Sequence, residues 1–477
     1  MTRAGTPPYM LIGAGGLVAI LMAANCAPAA GPSTSDSSPI APKIEDLPLK
    51  DSVTRHRITW TFERKVRVGR FVNGDWYVVG PVTVTAIAPK SENGRNCSVL
   101  NLPVSSRGAS PFDDRVRQGR GEKGKKLRAH LPVSMKPGDA LISSISVEEI
   151  NKLTPWLQES PSPVGTVSVL TCLTEPVPPD AFRPSYCDRG QKICLARNLK
   201  WELLPKLKPV SSTPKIAEVA KHFERPWLDI CYFGSDAAAE YQPRYAREVG
   251  RAAGISTLML LLDFTREQKR PLLIGVVQRG IDLWGIARAG YTGWPAIGGH
   301  GSGRKLPIVF AGIMLGDKEM ATPNKTLPKL QFGEDMQTMY GQSWTGAKVV
   351  FAGHSGSKAG ALGPYEHLHP AKWTKDNITS ENYRRCCTSL AWVGQALALR
   401  ILHAEKYWDH PAFFDYVDRW MHEDDGEHVK VIKEAPGNDY TANWARQGQC
   451  WDKFVEEMWA EHRKTLKPPA DGWKAKD

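Results

Sequence analysis

No Cys-x-x-Cys pair occurs anywhere in this 477-residue chain, so a structural zinc ribbon has no ligand set. The Gly-x-Ser-x-Gly elbow of hydrolases is also missing, since Gly353-His354-Ser355-Gly356 and Gly356-Ser357-Lys358 both break its spacing. A Gly-x-x-x-x-Gly-Lys-[Ser/Thr] phosphate cradle and a dinucleotide fingerprint after a strand are absent too, which removes nucleotide chemistry of those kinds. No clear internal repeat is present. Negative charge is the scarcer sign, with 50 Asp and Glu against 62 Lys and Arg and a formal net charge of +12. Outside the cell that balance points to an acidic partner such as anionic polysaccharide, a phosphate surface or anionic lipid, and nucleic acid drops out.

The export reading comes from residues 1–30. Arg3 is followed by an uncharged stretch through Ser35 with an apolar heart from Tyr9 to Ala24, the pattern of a signal segment. A cut at Ala27-Pro28-Ala29 and lipid attachment at Cys26, in the imperfect box Met22-Ala23-Ala24-Asn25-Cys26, are both open, with an uncleaved anchor as a third case. The expected addresses are therefore periplasmic, outer-surface lipoprotein or extracellular, with membrane contact only through that N-terminal anchor. Residues 31–53 read as a Ser/Pro-rich flexible tether. Eight cysteines remain beyond Cys26, an even count that permits disulfides in an exported chain. Cys187 and Cys194 bracket a short polar loop and are expected to pair, whereas adjacent Cys386 and Cys387 are expected to reach elsewhere.

Texture changes near residue 230. Residues 54–175 alternate in short β-branched and aromatic runs, and Asn73-Gly74 between Arg70-Phe71-Val72 and Trp76-Tyr77-Val78-Val79 is a hairpin signal. An antiparallel β-sandwich-like domain is expected there. Residues 176–229 form a Pro-rich connector that should lie against a neighbour. From residue 230 to 477 apolar residues recur at helical spacing in runs such as Leu306–Leu315 and Thr388–Trp408. The expected multidomain architecture is that sandwich followed by a mostly α-helical, (α/α) toroid-like catalytic domain, with a plain helix bundle as the alternative.

Chemistry concentrates in the glycine-rich loops between these helices. His300 and Arg304 stand in Gly298-Gly299-His300-Gly301-Ser302-Gly303-Arg304-Lys305, where an imidazole and a guanidinium can serve a substrate carboxylate and its neighbouring proton. Tyr365-Glu366-His367-Leu368-His369 supplies a phenol, a carboxylate and two imidazoles. If extended, Tyr365, His367 and His369 share a face. His367 and His369 could begin a divalent metal site, which would need His354 and a carboxylate as further ligands, but no cofactor is required by the pattern. Trp294, Trp344 and Trp373 offer flat faces for sugar rings. Asp263, Asp282, Glu334, Asp335, Glu366 and Asp415 supply carboxylates for a general acid and base pair. The basic loop from Arg115 to Arg128 reads as solvated surface.

An exported chain with a β-rich part, a helical part and a cleft offering His, Tyr and Arg resembles the polysaccharide lyases of the alginate-lyase and heparinase type, over about residues 230 to 464. The resemblance implies a carbohydrate-active enzyme that cleaves a uronic-acid polysaccharide by β-elimination. It implies His300 or His367 as base or carboxylate neutraliser, Tyr365 as base and acid, and Arg304 with Arg384 or Arg385 as carboxylate clamps. Trp294, Lys305, His354, Glu366, His369, Tyr383 and Trp344 would line the substrate. An Asn partner of the histidine is also implied, with Asn377 and Asn382 as the candidates. That family places its β part after the toroid, and here it comes first. Two other readings stay open: a glycoside hydrolase using paired carboxylates, and a non-catalytic surface glycan binder. The enzymatic reading requires His300 and Tyr365 to face one cavity.

Overall fold

The computed structural model describes residues 40–117, 119–150, 162–354, 365–435, 445–466 and 473–474. The export segment read at residues 1–30 lies outside the described residues. Among the described residues no helix is long and apolar enough to cross a membrane.

Strand formation follows the alternation seen in sequence. β1 (Leu49–Arg55) begins inside the segment read as tether and pairs with β2 (Ile58–Arg70), where Ile58, Trp60 and Phe62 point inward. That alternation breaks at Glu63-Arg64-Lys65, three exposed charges in a row. The two halves of β2 then serve different neighbours: the first pairs with β4 (Val82–Ala88), the last residues with β3 (Trp76–Val79). The Asn73-Gly74 hairpin forms as expected, with Gly74 at φ 86.

The expected antiparallel sandwich is corrected by the pairing. With β5 (Ser98–Leu100), β6 (Val133–Met135), β7 (Ala140–Ser146) and β8 (Val164–Leu173), the strands form one 8-stranded sheet in the order β5-β7-β8-β3-β2-β4-β6, β1 lying on β2. β3 and β8 run parallel, so the sheet is mixed, and it curls to a near-closed barrel-like form. Val68, Val78, Val84, Leu141, Leu170 and Cys172 pack together on one face of it. Val167 and Val169 of β8 point the other way and join the core of the helical half, which is why every residue of β8 is buried. Alternation in sequence reports which side chains share a face; it carries no information on strand direction or closure.

Residues 39–477 form one compact unit, and the connector supplies Phe182, Tyr186, Leu199 and Leu204 to its main core. α1 (Arg120–Lys125) rises from the basic loop and α2 (Ile216–Lys221) from the connector. The long helices are α3 (Ala246–Leu261), α4 (Arg266–Arg288), α5 (Lys305–Leu315) and the Ser389–Ile401 helix. Thr265 opens α4 with a capping box to Gln268. α3 packs on the Ser389–Ile401 helix at a glycine crossing, where a Cβ on Gly254 would meet Gln395 N at 2.9 Å; α4 packs on α5. The toroid expectation is thus also corrected: among the described residues these long helices make two such packed pairs, and most of the other helices are one to three turns long, too short to complete a ring.

The cysteine expectations reverse. Cys386 and Cys387 are bonded to each other, while Cys187 and Cys194 are both free thiols. Their loop needs no bridge, because the Asp188 carboxylate accepts from Gly190 N and Lys192 N and closes it.

Candidate functional site

Most of the residues singled out in sequence serve the interior. Arg304, fully buried, donates through Nε to Asp229 Oδ1 at 2.8 Å, through Nη1 to the carbonyls of His300 and Ser302, and through Nη2 to that of Phe233. Its expected role as a substrate clamp is corrected: the fork is spent on tying two loops together. Lys305 is buried against Trp408 and bonded to Asp335, and burial pushes its ammonium pKa down. Trp294 is also buried, donating to Asp229 O at 3.2 Å and stacked on Phe332.

A second group is sealed in the same way. Tyr365-Glu366-His367 forms a tight helical turn rather than a strand, so the tyrosine turns inward while His367 and His369 are exposed. Tyr365, 1% exposed, donates its hydroxyl to Glu381 Oε2, and burial holds its pKa well above the ordinary value. A phenol so held is no base. Glu366 accepts from Phe351 N at 2.6 Å, from Arg419 and, at 3.0 Å, from Arg384. Arg385 is locked between Glu381 and Asp425, and burial would raise the Glu381 carboxyl, but the Arg385 and Arg384 charges outweigh it and hold it at about 2. Trp344 donates its backbone N–H to Glu366 O and faces His369 and His428 edge-on. His369 Nδ1 accepts from Ala371 N, and among the described residues no group of three or more His, Cys, Asp or Glu gathers to hold a metal. Asn377 is used up in a capping box with Thr374. The pairing of His300 with Tyr365 across one cavity therefore fails, and the enzymatic reading that required that pair falls with it.

His300 is different. Its ring meets Tyr245 edge-on at 5.2 Å, Tyr232 at 5.3 Å and Phe233 at 6.0 Å. Its Nδ1 is buried with no hydrogen-bond partner among the described residues. Burial, then the charges of Arg304, Arg117 and Arg120, push the imidazole down to about 4, so it is neutral at neutral pH. Arg120 stacks at 3.4 Å over the Tyr232 ring and pairs with Asp236 at 3.0 Å, and Arg107 stacks over Phe233. The basic loop read as solvated surface thus delivers a guanidinium to the histidine from the β half.

Strain marks the same place. Tyr232 (φ 42) and Phe233 (φ 57) precede Gly234 (φ 82) in a left-handed turn, and Ile297 (φ 41) is an exposed β-branched outlier three residues before His300. Each such residue costs about 1–3 kcal/mol and persists only where its surroundings force it. Here the force is visible: Arg304 holds the Phe233 carbonyl, and Tyr232 N donates to Arg107 O at 3.2 Å. Opposite, Gly298 at φ 66 lets the loop lie on Tyr383, where a Cβ would stand 2.5 Å from the ring. Tyr383 stacks at 5.5 Å on His354, which also meets Ser380 Oγ at 3.2 Å and whose pKa burial lowers.

Of the residues expected from sequence, His300, His354 and Tyr383 come together here. Tyr232, Phe233, Tyr245 and Arg120 were missed. The signal available for them was Tyr232-Phe233-Gly234, two aromatics before a glycine, and Tyr245 at the entry to α3.

No family model, curated protein or solved structure matches this chain.

Proposed function

We propose that the chain is a carbohydrate-active enzyme that cleaves a uronic-acid-containing polysaccharide by β-elimination, with the reacting sugar at His300. The observation that carries this is a neutral imidazole, near guanidinium groups and phenols, whose Nδ1 has no hydrogen-bond partner among the described residues. Arg304 and Arg120 are paired with Asp229 and Asp236, so the unmet group is the imidazole itself; a substrate carboxylate arriving beside it would raise its pKa and restore its basicity.

In this reading Arg120 draws the carboxylate and acidifies the proton on the adjacent carbon. His300 takes that proton, a carbon–carbon double bond forms, and the neighbouring carbon–oxygen bond breaks. The leaving glycosidic oxygen takes a proton from Tyr245, whose hydroxyl burial keeps protonated. The export reading of residues 1–30 would bring the enzyme to such polymers.

The paired-carboxylate hydrolase has less to stand on. Asp282 is bonded to Arg183, Asp335 to Lys305, Glu366 to Arg384 and Arg419, and Asp415 accepts from Tyr340. Glu334 is buried on Gly303 N.

A panel of uronate polymers tests the proposal. Unsaturated fragments with new ultraviolet absorbance, lighter by a water than hydrolysis products, are expected. Reducing sugar from neutral glycans without that absorbance would replace the proposal with the hydrolase, and binding without any product would replace it with the glycan binder.

A further inference from the structure

A row of aromatic and cationic groups leaves His300 along the surface and ends at Trp451. Tyr245 stands edge-on to His300, Arg247 lies 5.7 Å over the Tyr245 ring, and the same guanidinium lies 5.2 Å over the ring of Trp451. Trp451 is 38% exposed, whereas most tryptophans here are buried. It also stands at φ 54, a left-handed conformation that a bulky residue avoids. Local ties hold it there. Arg251 donates to Trp451 O at 2.9 Å and pairs with Asp452 and Glu248, and Asp452 caps the Lys453–His462 helix. Arg247 in turn is fixed by Glu248 at 2.5 Å and by Cys386 O at 2.8 Å, beside the Cys386–Cys387 disulfide.

An exposed indole held in a strained backbone, stacked on a cation and in line with the candidate centre, is poorly explained by packing. We infer that Trp451, backed by Arg247, is an accessory sugar-binding position for the acidic glycan, separated from the reacting sugar by Tyr245 and Arg247. The inference rests on the elimination reading above. The indole face takes the apolar face of a pyranose ring, and the adjacent guanidinium places positive charge beside that ring's carboxylate. Its consequence is a preference for chains long enough to span from His300 to Trp451 over short fragments.

The test is turnover of a graded series of uronate oligomers by the full-length wild type, Trp451→Gly and Trp451→Phe. Glycine removes the ring and accepts the left-handed backbone, so folding is spared. The expected result is a deficit in kcat/KM for Trp451→Gly that grows with oligomer length to roughly tenfold, carried by KM, and is largely recovered in Trp451→Phe. A deficit equal at every length, or none, with the wild type active, overturns the inference alone. No unsaturated product from the wild type overturns the elimination reading instead. Calorimetry with the same oligomers then decides the accessory position: binding weakened in Trp451→Gly upholds it, and binding equal to wild type overturns it.

Discussion

The group around Glu366 and Glu381 and the group around His300 are both built with tyrosines, arginines and carboxylates. In the first, carboxylates outnumber or match the guanidiniums, and each hydroxyl and carboxylate is spent on a neighbour. In the second, Arg304 and Arg120 are likewise paired, with Asp229 and Asp236, but they stand near a neutral ring whose Nδ1 has no partner among the described residues. Among the described residues each group keeps one buried nitrogen without a hydrogen bond, Arg384 Nη2 in the first and His300 Nδ1 in the second, but a guanidinium stays charged whereas the imidazole can take a proton. The backbone also separates them, since the strained turn at Tyr232-Phe233-Gly234 belongs to the second group.

The most disruptive way to probe this contrast is Arg385→Ala. It leaves Glu381 and Asp425 buried without their shared cation and should cost about 3–5 kcal/mol of stability, read from chemical denaturation. His300→Gln should do the reverse, lowering turnover of uronate polymer by about 10²–10⁴-fold while the unfolding midpoint stays near wild type. Tyr365→Phe sharpens the comparison further. Loss of its bond to Glu381 should cost about 1–3 kcal/mol, with turnover per folded molecule retained.

A smaller effect follows from protonation. His300, His56 and His222 are each held at about 4 in the folded protein against an ordinary 6.5, chiefly by burial. Between those values the unfolded chain binds more protons, so stability is full above about pH 6.5 and falls as pH drops toward 4. Urea midpoints measured across this window should rise with pH, and His300→Gln should make the rise shallower without abolishing it. A slope indifferent to the substitution would mean that His300 is not held neutral.

Single elements of the fold were legible in sequence, whereas its architecture and much of the site were not. Apolar spacing at Leu306–Leu315 located α5, and Asn73-Gly74 located its hairpin, because these are local preferences of the backbone. The parallel pairing of β3 with β8 and the curling of the sheet arise between strands some 90 positions apart in sequence, beyond the reach of local pattern. Site residues failed for a related cause. Arg304 beside His300 has the look of a substrate clamp, yet its destination is set by Asp229, seventy-five positions earlier. Arg120, in a loop that sequence alone reads as solvent-facing, is recruited by Tyr232. Whether a polar side chain is satisfied is decided by partners distant along the chain, and that decides its role.

The central claim is that the group around the neutral imidazole of His300, and not the ion-paired one around Tyr365, carries the chemistry. The most direct measurement is turnover of uronate polymer by His300→Gln and Tyr365→Phe side by side, each normalised to its folded fraction. Loss in His300→Gln with retention in Tyr365→Phe is the predicted result; retention in His300→Gln with loss in Tyr365→Phe would contradict it.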